Sequence, residues 1–475
     1  MLRSNDICES GSWMSEGTHI YDWGLPFTRF LGTLLIAHPV LSDSCSGNTA
    51  ADRSIWCDYD LSTDYYEVVP ETGVTREYWF EINQTTAAPD GYSRMVMAVN
   101  GSVPGPTIYA DWGDTVKVHV INNLEASNNG TSVHFHGIRQ NYTNPQDGVV
   151  SITQCPTAPG SEILYTWRAT QYGTADVLYA SAQSSGPPTL DNGLINGTNV
   201  YGDDDSDSQT GSRLELSVVN GTSYRMRLVN AAIDTHFKFM IDNHTMTVIA
   251  NDLVPIVPYE TTVLDISMGQ RYDIVVKMDQ EDTADDFWLR AIPQAACSDN
   301  DSSDNIKAII HYGSSSSTPT TSAYSYTDEC VDEDLTDLVP YLAKDADSSY
   351  WSNETVATVG FNDNSLFRWK LNSVSMMVEW ANPTLLQIYN NESDWSNTSN
   401  IITLSEADEW AYLIIETEMT VSHPIHLHGH DFMILAQGSG DYSSSDLNLS
   451  NPPRRDVAIL PDSGYLVLAF KTDNP

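Results

Sequence analysis

The chain has 475 residues, 41% hydrophobic and 10% aromatic, which at roughly 100–200 residues per domain predicts two to four domains with real cores. Its formal net charge of −42 argues against nucleic acid and anionic membranes as partners, because both would repel it. No apolar run reaches the roughly 18 residues of a spanning helix, so a membrane protein is not expected either.

The first 44 residues read as an N-terminal extension with a signal-like segment. Phe30-Leu31-Gly32-Thr33-Leu34-Leu35-Ile36-Ala37 is a short apolar core behind Arg29, and Leu41-Ser42-Asp43-Ser44 offers a cleavage site, although His38 and Pro39 interrupt it. Met14 serves as an initiator as well as Met1. Asn-X-Ser/Thr sequons, among them Asn83, Asn129, Asn196, Asn220, Asn353 and Asn397, also point to a secreted, extracellular glycoprotein. The cysteines are Cys8, Cys45, Cys57, Cys155, Cys297 and Cys330. Cys8 would leave with the signal, Cys45/Cys57 and Cys297/Cys330 are near enough in sequence to pair, and Cys155 is then left over.

Period-two strand patterns dominate the rest of the chain. Thr115–Val120 places Val116, Val118 and Val120 on one face, and Tyr224–Val229 and Arg271–Val276 alternate in the same way. Helical periodicity is scarce, so the class is all-β, built as sandwiches. A weak internal repeat of strand, loop, strand occurs three times. Asp114–Val118 leads to Val133-His134-Phe135-His136-Gly137, Thr222–Val229 to Thr235-His236-Phe237-Lys238-Phe239, and Asp408–Ile415 to Ile425-His426-Leu427-His428-Gly429. Three related β-sandwich domains are therefore expected, over 45–174, 175–312 and 331–475, with a Ser/Thr-rich linker at 313–330. Asp203–Ser208 reads as a solvated acidic turn.

Of the twelve histidines, six fall in two short windows. Histidines two apart on a strand project from one face, so each pair presents two imidazoles to one side. Neutral imidazole suits copper, zinc, iron or nickel. One such pair is weak evidence; two in equivalent repeat positions, each followed by glycine, are strong. Packing of the outer domains would bring four imidazoles to one interface. The other histidines have plainer roles: His119 exposed, His244 inside a sequon, His236 and His311 packing or surface residues, and His430 a supporting neighbour of the second cluster.

Ser132–Gln140 and His423-Pro424-Ile425-His426-Leu427-His428-Gly429-His430-Asp431-Phe432 resemble the first and third copper motifs of multicopper oxidases. The flanks Pro104–Ile108, Trp167–Thr174, Gly269–Asp273 and Asn451–Val457 are similar to those of ascomycete laccases. The resemblance runs from about Cys45 to Pro475. It implies three cupredoxin-like Greek-key domains and four coppers. A type 1 copper takes single electrons from phenolic or aromatic amine substrates, and a type 2/type 3 cluster between domains one and three reduces O2 to water. By position, His134 and His426 would be type 2 ligands, His136 and His428 type 3 ligands, and His423 a type 1 ligand.

Two motifs of that family are absent. After Gln171-Tyr172-Gly173-Thr174 the family continues into Trp-Tyr-His-Ser-His. This chain continues Ala175-Asp176-Val177-Leu178-Tyr179, and it stops at Pro475 before a His-Cys-His motif. No cysteine is flanked by histidines, and a blue copper site needs two histidines and a cysteine. The expectation is that domains one and two are truncated at their junction, domain three lacks its last strand, fewer than four coppers bind, and the chain is inactive in this form. In that family the cysteine corresponding to Cys155 pairs with one near the C-terminus, which fits Cys155 being left over here. The alternative is a non-catalytic secreted copper-binding protein that retains a two-histidine site. A cupin-like metalloenzyme also uses His-X-His pairs, but the threefold repeat and the flanking motifs disfavour it. The expected partners are a small phenolic substrate and O2, and the expected state is a monomer.

Overall fold

The computed structural model describes residues 55–474, apart from 126–129, 174–175, 179–188, 205, 362–366, 405 and 444–446. The signal-like segment, Met14, Cys8, Cys45 and the Asn129 sequon lie outside the described residues.

The architecture is β throughout, with one short α-helix, Thr384–Tyr389, among the described residues. In the first unit four strands run in the order Arg94–Val99, Thr75–Ala87, Thr115–Asn122, Glu162–Arg168. The alternation read from sequence is realised here: Val116, Val118 and Val120 have no exposed surface and join Phe80, Ile82, Phe135, Tyr165 and Trp167 in one core. The facing sheet is small, His134–His136 paired antiparallel with Asp176–Leu178. The domain reading starts the middle unit at Ala175, but residues 176–178 lie beside the first histidine pair.

The middle unit is a full sandwich of five strands against four. Its core is lined by Ile241, Met246, Val248, Ile274, Val276 and Phe287. Leu338 joins that core, and Val257 N donates to Val339 O at 2.8 Å, so the chain beyond Asp332 runs along the middle unit before it enters the third. The third unit has a six-stranded sheet, with His423–His426 paired antiparallel to Val457–Leu460 alongside it.

The register bears out the repeat between the outer units. Thr115–Asn122 is parallel to Thr75–Ala87 and antiparallel to Glu162–Arg168. Trp410–Glu416 is likewise parallel to Trp351–Phe361 and antiparallel to Gly464–Lys471. In both units the histidine strand then sits in a separate two-stranded sheet.

Cys297 and Cys330 form a disulfide, as expected. Cys155, expected to be unpaired, is disulfide-bonded, as is Cys57. The sequence holds six cysteines, an even number once Cys8 is counted, and the described residues include no free thiol. The acidic turn is exposed at Asp203, Asp204, Asp207 and Ser208, and Asp204 also pairs with Arg213 and with Lys307, each at 2.7 Å. Among the described residues no helix is long and apolar enough to cross a membrane.

Candidate metal centre

Strand alternation decides where the first histidine pair points. Phe135 is 1% exposed and packs edge-on against Tyr165, with ring centroids 5.2 Å apart. That anchor turns His134 and His136 to the opposite face. Gly137 ends the strand at φ +78°, where a Cβ would lie 2.1 Å from Arg271 Nη2, so no larger residue fits. In the third unit, His426 sits opposite Val457 in the ladder, and His428 comes just beyond the strand end.

The two pairs meet. The His136 and His426 rings stack 4.0 Å apart at 14°, and His428 lies 4.3 Å from His134 and 4.6 Å from His426. His134, His136 and His426 each offer a ligand atom, all within 4.8 Å of one another, and His134, Asp147 and His428 do the same. The convergence of four imidazoles between the outer units is therefore present.

Tautomers are set by the hydrogen bonds. His134 Nδ1 lies 2.7 Å from the Asp147 carbonyl, and His426 Nδ1 lies 2.7 Å from the Asp456 carbonyl. A carbonyl only accepts, so both Nδ1 atoms carry protons and both Nε2 atoms carry lone pairs. Those two Nε2 atoms are buried with no hydrogen-bond partner. A buried polar atom without a partner is costly, and a metal ion relieves that cost. Burial also pushes the His134 imidazole down to about 4, against the pull of Asp147, and pushes His426 well below its ordinary value. Neutral imidazole is the form that ligates metal. The donor set, four imidazoles with a carboxylate alongside, fits copper.

Two carboxylates that sequence reasoning did not single out complete the surroundings. Asp147 Oδ2 lies 3.1 Å from His428 Nδ1, and Asp147 is 3% exposed. Asp456 Oδ1 lies 3.4 Å from His136 Nε2. Burial opposes ionisation of Asp456, but the Arg271 guanidinium and its hydrogen bonds hold the carboxyl well below the usual carboxylate range. The available signal was an acidic residue between paired arginines and a wholly apolar strand, Arg454-Arg455-Asp456 before Val457–Leu460, in an otherwise acid-rich chain.

His423 stands outside the ligand groups found among the described residues. Its Nδ1 lies 2.8 Å from the Val421 carbonyl, and its ring meets Trp369 edge-on at 4.2 Å. The remaining histidines among the described residues are accounted for by packing and polar partners. His119 is not simply exposed: it stacks on Trp79 at 5.0 Å between Glu77 and Glu162. His236 faces Asp265, His244 bonds Tyr312, His311 bonds Asp286, and His430 packs on Phe470.

Comparison with known proteins gives the class this site defines. Multicopper oxidase family models match residues 81–202, 167–315 and 354–475. Laccase-2 of Botryotinia fuckeliana is 43% identical over 494 residues, covering 91% of this chain and 83% of that protein. The laccase of Melanocarpus albomyces is 34% identical, covering 90% and 79%. The crystal structure of the laccase from Botrytis aclada superposes with a TM-score of 0.82 at 42% identity, over 89% of this chain and 87% of that one. The chain belongs to the multicopper oxidase family, whose members are copper-dependent oxidoreductases. Within that family it is laccase-like.

Proposed function

We propose that this is a secreted, monomeric laccase-like oxidase. In a form that carries the remaining ligands, it couples one-electron oxidation of phenolic or aromatic substrates to reduction of O2 to water. The 475-residue chain itself binds copper between its outer units but does not turn over. The observation that carries the copper reading is the pair of buried, unpartnered Nε2 atoms of His134 and His426 at the meeting of four imidazoles. His134 and His426 would hold copper in the type 2 position, His136 and His428 would contribute type 3 ligands, and His423 would be the remaining ligand of the type 1 position. Bound copper supplies single-electron transfer. The protein's part is to orient these rings and to hold His134 and His426 neutral by burial.

Inactivity rests on what stands beside the histidines. The strand paired with His134–His136 is Asp176-Val177-Leu178, where the family motif would bring two further histidines. No cysteine in the chain is flanked by histidine. The second reading, a non-catalytic copper-binding protein, is favoured by the same intact cluster.

One experiment separates these readings. The expressed chain is analysed for copper and assayed for oxygen uptake with a diphenol. Bound copper without oxygen uptake is expected. Turnover with strong blue absorption sinks the inactivity claim, and absence of copper sinks the binding claim.

A further inference from the structure

The histidines of the metal centre come from the first and third units, yet its firmest polar support comes from the middle unit, which supplies none of them. We propose that Arg271 of the middle unit is the positioning residue of this centre, fixing Asp456 so that Asp456 orients His136 and His426. The inference deepens the copper reading above and rests on it.

The turn Ser267–Gln270 brings the middle unit against the site, closed by a Gln270 N–H to Ser267 carbonyl bond of 3.0 Å. Gly269 in this turn has φ +76°, and a Cβ there would stand 3.0 Å from His136 Cε1. Bare backbone therefore backs the His136 ring. Gln270 Nε2 donates to the Val457 carbonyl at 3.3 Å, next to Asp456. Arg271 then reaches across. Its Nη1 and Nη2 donate to Asp456 Oδ1 and Oδ2, each at 2.5 Å, and Nη1 also donates to the Gly269 carbonyl at 2.9 Å. Arg271 and Asp456 are each 1% exposed.

Asp456 touches two ligands from two different units. Its carbonyl accepts from His426 Nδ1 at 2.7 Å and from Leu427 N at 3.2 Å. Its Oδ1 lies 3.4 Å from His136 Nε2 and 3.7 Å from His426 Nδ1. A carboxylate free to rotate could turn toward either ring. It would then compete with its own carbonyl for His426 Nδ1–H and leave the His136 proton unassigned. A two-pronged guanidinium fixes the plane of the carboxylate, which a lysine ammonium cannot do. Held in that plane, Oδ1 stands 3.4 Å from His136 Nε2, a buried nitrogen that makes no hydrogen bond of its own, and is placed to draw its proton. That favours the proton on Nε2 and leaves the Nδ1 lone pair for metal. Carboxylate–histidine–metal relays work in this way, and their loss weakens metal binding by about 10–100-fold.

A purely structural role would make Arg271 one more buried ion pair. The middle unit contains a fair comparison in Arg290, which grips Asp242 with Nε and Nη2, each at 2.8 Å, away from the site. The test compares the full chain with its R271K, D456N and R290K variants. Folding is monitored by near-ultraviolet circular dichroism, copper(II) affinity by titration, and ligand geometry by electron paramagnetic resonance. Histidine tautomers are read by nitrogen NMR on the copper-free chain. R271K and D456N should bind copper about 10–100-fold more weakly, with altered copper hyperfine splitting and a mixed His136 tautomer. R290K should lose stability but keep all three signatures. Unchanged tautomer and resonance spectra in R271K, or in D456N should R271K fail to fold, overturn the proposal. So does R290K weakening copper as much as R271K. If the parent chain binds no copper but the R271K tautomer still shifts, the copper reading fails and the positioning role stands.

Discussion

Glu333 offers a pH test that does not involve the metal centre. Its carboxyl is buried, at 8% exposure, where the chain leaving the middle unit folds back on it. It accepts from Asp265 N at 2.6 Å and from the Tyr259 hydroxyl at 2.8 Å. Burial raises it from an ordinary 4.5 to about 7, more than those two hydrogen bonds lower it. The folded chain therefore takes up this proton at higher pH than the unfolded chain. The stabilising contribution is complete below about 4.5 and is lost as pH rises through about 7, a span worth about 3 kcal/mol. Glu333→Gln removes the ionisation and keeps the shape. Its amide oxygen can accept from Asp265 N, and its NH2 can donate to Tyr259, so about 1 kcal/mol at most should be lost in hydrogen bonding. Urea unfolding monitored by tryptophan fluorescence between pH 5 and 8.5 reads the outcome. The parent should lose stability relative to E333Q between about pH 4.5 and 7 and level off above about 7, where the variant should be the more stable. Parallel pH profiles would refute the reasoning.

The same geometry makes three further outcomes testable. Phe135→Ala empties a site that is 1% exposed, and should cost about 3–5 kcal/mol in urea unfolding while weakening copper binding through the loosened strand. Replacing both Cys297 and Cys330 with alanine opens a crosslink of sequence separation 33, and should cost about 3–4 kcal/mol on the same assay with copper binding intact. His134→Ala and His426→Ala should each abolish copper uptake between the outer units by metal analysis, whereas His423→Ala should leave that uptake in place.

Local signals in the sequence were reliable where one face of a strand meets the core of its own unit. Val116, Val118 and Val120 are an example, and so is Phe135 between its two histidines. The polar face of a strand was a poorer guide, because alternation does not say what covers it. Arg271–Val276 reads as half-buried, yet Arg271 and Asp273 are both buried. Arg271 pairs with Asp456 of the third unit, and Asp273 pairs with Arg225 of the adjacent strand. Asp147 and Asp456 were missed for the same reason. An acidic residue in a chain of net charge −42 looks like solvated surface until another unit is packed onto it. The histidine pairs escaped this problem because their spacing and their repetition carry the signal without knowledge of the partner.

The middle unit shows why a repeat is not a site. Its copy of the motif keeps His236 but has Lys238 where the outer units place a second histidine. Lys238 is 3% exposed and its ammonium sits 2.5 Å from Asp265, which also lies 3.1 Å from His236 Nε2. The carboxylate that could have helped hold a metal is thus already neutralised by a built-in cation, and a second cation placed there would be repelled at short range. Freed from ligation, this unit meets the metal centre through its turn and through Arg271. Two units therefore supply imidazoles, and the third supplies the fixed charge that holds the carboxylate between them.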